Sequence, residues 1–110
     1  MARPWYLPDV PGTFTFTATL WTTGTDAAWY MATLPQDISD EIEARYAGPK
    51  RGFGAVRVKV TVGRSRWETS IFPDGRFEAY VLPVKRGVRE AEGLEEGAPF
   101  PVALEVPDLN

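Results

Sequence analysis

A mainly β domain, a small closed or nearly closed barrel of about six strands with two short helices, follows from three features of this sequence. Strict alternation of apolar and polar residues runs through TFTFTATLWT and VRVKVTVG. Glycine- and proline-bearing turns separate further short apolar runs, and only two stretches switch to helical spacing. Six strands and two short helices exceed what one open sheet hides in a chain of 110 residues, so the sheet is expected to close. Residues 1–12 read as a proline-rich arm, 13–106 as one barrel domain and 107–110 as a tail, with no internal repeat visible.

The elements follow in order. In residues 13–22, Phe14, Phe16, Ala18 and Leu20 share one face and threonines the other, the pattern of a half-buried strand. TGTDA is a turn or loop, and AWYMATL is an aromatic-rich strand that stops at Pro35. A helix then takes over, with Ile38, Ile42 and Tyr46 on one side, Asp37 as its N-cap, and Gly48 and Pro49 as its end. Val56, Val58, Val60 and Val62 point inward from the next strand while Arg57, Lys59 and Thr61 point out. RSR is a polar turn into WETSIF, PDG at 73–75 is another turn, and FEAYVLPV is a strand with Tyr80, Leu82 and Val84 on one face. Val84, Val88, Ala91 and Leu94 then make a narrow helical stripe that Gly93 and Gly97 interrupt, and PFPVALEV is the last strand.

Composition narrows the chemistry. The chain has neither histidine nor cysteine, which removes disulfides, the usual zinc ligands and every nucleophile that depends on a histidine base. Acid–base catalysis would need a carboxylate or lysine displaced by about 2 to 4 pKa units in a buried site. A net charge of −3 offers no general attraction for nucleic acid or an anionic membrane. No apolar run approaches the roughly 18 residues of a membrane span, and MARPWYLPDVPG lacks the apolar stretch of a signal peptide, so a cytoplasmic protein is expected.

The second helical stretch carries its charges in reverse. It opens with Lys85, Arg86 and Arg89 and closes with Glu90, Glu92, Glu95 and Glu96, although a helix is positive at its N-terminus and negative at its C-terminus. The first helix has the ordinary order, acidic residues from Asp37 to Glu43 early and Arg45 late. The reversal predicts either a small anionic ligand held by Lys85 and Arg89, or internal compensation in which Arg86 meets Glu90, Arg89 meets Glu92 and another carboxylate meets Lys85.

The same stretch carries a family resemblance. An N-terminal strand ending near Leu20, WYMATLP before a short helix, VRVKVTVGRSRWETSIFPDG, YVLPVKRGVREAEGLEEG and a closing PVALEV resemble the bacterial family called domain of unknown function 1905. The most specific parts are LPVK followed by Arg89, then the Gly93 and Gly97 pair; Ala98 stands where such families usually carry an acidic residue. The resemblance covers most of the chain and implies a small β-barrel, sometimes fused to other small domains. It implies no reaction.

Other candidate sites are read from the residues. Trp29, Tyr30, Trp67 and Tyr80, capped by Lys85, would line an aromatic pocket, the competing reading being that these rings fill the core. The expected ligand site is therefore Lys85 and Arg89 as charge partners with Tyr80 and Trp67 as walls. Arg57, Lys59, Arg64, Arg66 and Arg76 with Trp67 would suit a single nucleic-acid strand, but Glu68 and Glu78 interrupt them, so nucleic acid is not the expected partner. GFG at 52–54 lacks the third glycine of a dinucleotide loop, no metal-ligand spacing occurs, and no cofactor is expected. Ser70 with Lys85 is the sole nucleophile–base pairing considered, and the carboxylates from Asp37 to Glu43 read as a solvated helix face. An enzyme is the second reading and a structural or interaction protein the third, a homo-oligomer being its sign.

Overall fold

The computed structural model describes residues 12–23, 29–46, 48, 54–76 and 78–109. The arm at 1–11, the turn at 24–28, Pro49 and the first two residues of GFG lie outside them. The order is β1 (Thr13–Thr23), β2 (Trp29–Thr33), α1 (Gln36–Arg45), β3 (Val56–Val62), β4 (Ser65–Asp74), β5 (Ala79–Pro83), α2 (Arg86–Glu92) and β6 (Pro99–Glu105). The strands close into a six-stranded antiparallel barrel in the order β1-β2-β5-β4-β3-β6.

Alternation places the core as the sequence pattern requires. Ala18 and Leu20 of β1, Val56, Val58, Val60 and Val62 of β3, and Phe100, Val102 and Leu104 of β6 are buried in one cluster, while Thr15, Thr17, Arg57 and Lys59 between them are exposed. Ile42 of α1 and Val88 of α2 join that cluster, so each helix is held by an apolar residue on its inner face.

Several local expectations are corrected. Val62 pairs with Ser65, so the β3–β4 turn is the two residues Gly63 and Arg64, and Ser65 and Arg66 already belong to β4. Gly63 has φ +58, the left-handed conformation such tight hairpins favour. Pro73 and Asp74 also lie in β4 rather than in a turn, because β3 begins only opposite Ile71 and Pro73 has no ladder bond to lose on that side. Pro35, not Asp37, is the N-cap of α1; Asp37 sits in the first turn, where its Oδ1 accepts from the Ile38 N–H at 2.9 Å. Ala91 is exposed, since α2 ends at Glu92 and Gly93 turns left-handed at φ +64.

The connectivity contains a repeat that the sequence does not display. β1-β2-α1-β3 and β4-β5-α2-β6 share one order, and exchanging the halves maps β1·β2 onto β4·β5, β1·β6 onto β4·β3, and β2·β5 and β3·β6 each onto itself. The registers obey the same exchange. Phe14 opposite Leu104 answers Trp67 opposite Val60, and Leu20 opposite Ala32 answers Pro73 opposite Tyr80. A Leu-Pro pair marks where the second strand of each half stops: Leu34-Pro35 directly follows β2 and Leu82-Pro83 closes β5, because proline cannot continue a ladder as a donor.

Ser39 fills the gap that this leaves at Pro35. Leu34 N–H bonds to the Tyr80 carbonyl at 2.9 Å, but the return bond from Tyr80 N–H goes to Ser39 Oγ at 3.0 Å. Ser39 is the only buried polar residue among those described. Ser39→Ala leaves a buried N–H without an acceptor and should cost about 1 to 3 kcal/mol, read as a lower urea midpoint with an unchanged m-value.

Candidate functional site

A groove opens where β4 and β5 part. β4 pairs with β3 through Ile71 and with β5 only at Phe72, Pro73 and Asp74. β5 then reaches Pro83 and the chain leaves the sheet for α2. The space between has a volume of about 510 Å³ and is lined by Trp29 and Tyr30 of β2, Trp67 and Phe72 of β4, and Lys85 and Arg89 at the start of α2. Trp29 is 61% exposed, the one large apolar side chain left so among the described residues. Trp67 is half-buried against the core, and Trp21 is half-buried with its indole N–H donating to Thr33 Oγ1 at 2.9 Å. The aromatics are thus divided between core and groove.

The reversed charges of α2 are answered one by one. Arg86 pairs with Glu90 at 2.7 Å. Arg89 does not meet Glu92: its guanidinium lies 3.7 Å from the centre of the Tyr30 ring, and its Nε donates to the Val84 carbonyl at 3.2 Å. Glu92 instead clasps the β3–β4 hairpin, accepting from Ser65 Oγ at 2.7 Å and Arg64 N–H at 3.2 Å. A Cβ at Gly63 would collide with that carboxylate. Lys85 is exposed and has no ion pair among the described residues.

Three of the four expected site residues therefore share one groove, and Tyr80 does not. Tyr80 is 3% exposed, and its hydroxyl donates to Glu43 Oε1 of α1 at 2.9 Å. Its neighbour in β5, Pro83, reaches the groove in its place. Sequence reasoning also passed over Phe72, Thr69 and Glu68 on the groove's β4 side; Pro83 was the signal, since it shows where β5 must release β4.

The remaining candidates are scattered. Trp67 faces inward beside Val60, whereas Arg57, Lys59 and Arg66 lie on the exposed face, so this aromatic and these cations do not form one surface. Arg57 pairs with Glu68 at 3.1 Å and Arg76 with Asp74 at 2.9 Å. No hydrogen bond joins Ser70 to Lys85, and among the described residues no group of three acidic side chains is arranged to hold a metal ion. No helix among them is long and apolar enough to cross a membrane.

Burial, and then the Glu43 carboxylate, hold the Tyr80 hydroxyl above its ordinary pKa of 10.0. Above that pH the unfolded chain loses this proton while the folded chain keeps it. The linked stability is whole below pH 10 and falls as pH rises beyond it, by about 1.4 kcal/mol per unit for one proton. Over pH 9 to 11 the wild type should lose about 1.4 kcal/mol more stability than Tyr80→Phe in denaturation, most of it above pH 10.

No curated protein matches the chain. Residues 16–104, by contrast, match the family model described as domain of unknown function (DUF1905). That match takes in the barrel from β1 into β6, with both helices and the groove, and the chain belongs to this family.

Proposed function

We propose that the groove beside α2 binds an anion carried on a flat or apolar body, and that the protein works as a cytoplasmic binding module. The observation that carries this reading is Lys85, a cation without an ion pair among the described residues, at the mouth of an aromatic-walled groove and next to an exposed tryptophan. Arg89 supports it differently. Tyr30 and the Val84 carbonyl fix the guanidinium, using one of its five N–H groups, and its Nη groups make no hydrogen bond among the described residues. A planar donor held in place before the ligand arrives loses little entropy on binding. Trp29, Trp67 and Phe72 provide the apolar walls.

The exposure of Lys85 favours binding over acid–base catalysis, for which a lysine would have to be buried. Thermal melting against aromatic carboxylates and phosphates tests the proposal. A ligand at about one hundred times its Kd should add roughly 2.7 kcal/mol, several degrees in a domain of this size. Lys85→Ala and Trp29→Ala, both changes at exposed side chains, should keep the unliganded Tm within about 2 °C and lose most of the shift. An equal shift in wild type and both variants would move the site elsewhere.

A further inference from the structure

We infer that the groove's anion is part of an extended, acidic peptide segment, which adds to the barrel as a strand alongside β4; this inference rests on the anion-binding reading of the same groove. The backbone of β4 carries it. Val62 and Ser65 flank the two-residue hairpin, so they exchange hydrogen bonds, and Trp67, Thr69 and Ile71 repeat that orientation toward β3. Arg66, Glu68 and Ser70 consequently turn their N–H and C=O groups to the opposite side. Phe72, next in that series, pairs with Val81 of β5. The residue of β5 that would meet Ser70 is Pro83, which has no N–H, and after it the chain turns into α2.

The result is an open edge inside a closed barrel. Among the described residues the ladder with β5 begins only at Phe72, so Arg66, Glu68 and Ser70 have no ladder partner on that side. Donors and acceptors repeating at this spacing are what an extended chain recognises, whereas a small anion would leave them unused. Both flanks have room for alternate side chains of an added strand: the groove of about 510 Å³ on the Trp67 side and a hollow of about 420 Å³ beside Arg57, Ser70 and Phe72. Charge selects the partner. Glu68 is held by Arg57, while Lys85 and Arg66 at either side of the edge have no ion pair among the described residues, so an acidic segment fits and a basic one is repelled.

Titration of the ¹⁵N-labelled full chain tests this with four probes: acetyl-Glu-Val-Glu-Val-Glu-amide, the same peptide N-methylated at alternate residues, its lysine-for-glutamate counterpart, and benzoate. The acidic peptide should shift the amides of Arg66, Glu68 and Ser70 and slow their hydrogen exchange. N-methylation and charge reversal should each weaken it by about tenfold or more. Arg66→Pro, outside the lining of the groove, removes an edge N–H without touching the β3 ladder and should weaken peptide binding by about tenfold or more while leaving benzoate binding intact. N-methylation also tests the edge in the unaltered protein, should that variant not fold. If benzoate binds through Lys85 but the peptide binds no better, or is indifferent to N-methylation, the peptide inference falls and the anion site stands. If no probe shifts any groove amide, both fall. Shifts of the edge amides that grow with protein concentration without peptide would assign the edge to a second copy and overturn the inference.

Discussion

Every strand of the closed sheet has two neighbours, but β1 and β4 alone divide their length between them, one stretch for each. β1 gives its first part to β6 and its last residues to β2; β4 gives its first part to β3 and its last residues to β5. At each change of partner the strand has one side that its former neighbour has left. Most of the irregular features of the molecule sit at these two corners. Leu-Pro ends the departing strand, and a helix carries the chain away across the barrel.

The two corners are built alike but finished differently. At the first, Ser39 takes the Tyr80 N–H of β5 and Ile42 is fully buried, so α1 is tied to β5 and to the core where β2 ends. At the same steps from the second proline stand Gly87, which has no side chain to offer, and Glu90, which is exposed and paired with Arg86. α2 is also shorter, seven residues against ten, and Val88 is its one buried residue. It covers the core without covering the edge of β4.

This division explains what could be read from the sequence. Strand alternation is a property of neighbouring residues, so the inward valines of β3 and the threonine face of β1 were legible, and with them the barrel. The two-fold repeat was not, because it lives in pairing registers while the side chains of the halves differ: Phe14 answers Trp67, Ala18 answers Ile71. That Tyr80 lies outside the groove was illegible for a related reason. Alternation gave its face correctly, but the approach of α1, which brings Glu43 to its hydroxyl, is a long-range contact that no local pattern encodes.

The charge order of α2 shows how a local anomaly can be solved by tertiary contacts. Reversed charges disfavour a helix by about 0.3 to 1 kcal/mol each when nothing answers them. Here Glu92 is answered by the hairpin turn, Arg86 by Glu90 and Arg89 by an aromatic face. Each contact also fixes geometry: Glu92 ties α2 to the start of β4, and Tyr30 ties Arg89 to β2, so the two walls of the groove are held by the same charges that looked misplaced. Lys85 takes no part in this. It precedes the helix, has no ion pair among the described residues and stands at the opening of the groove.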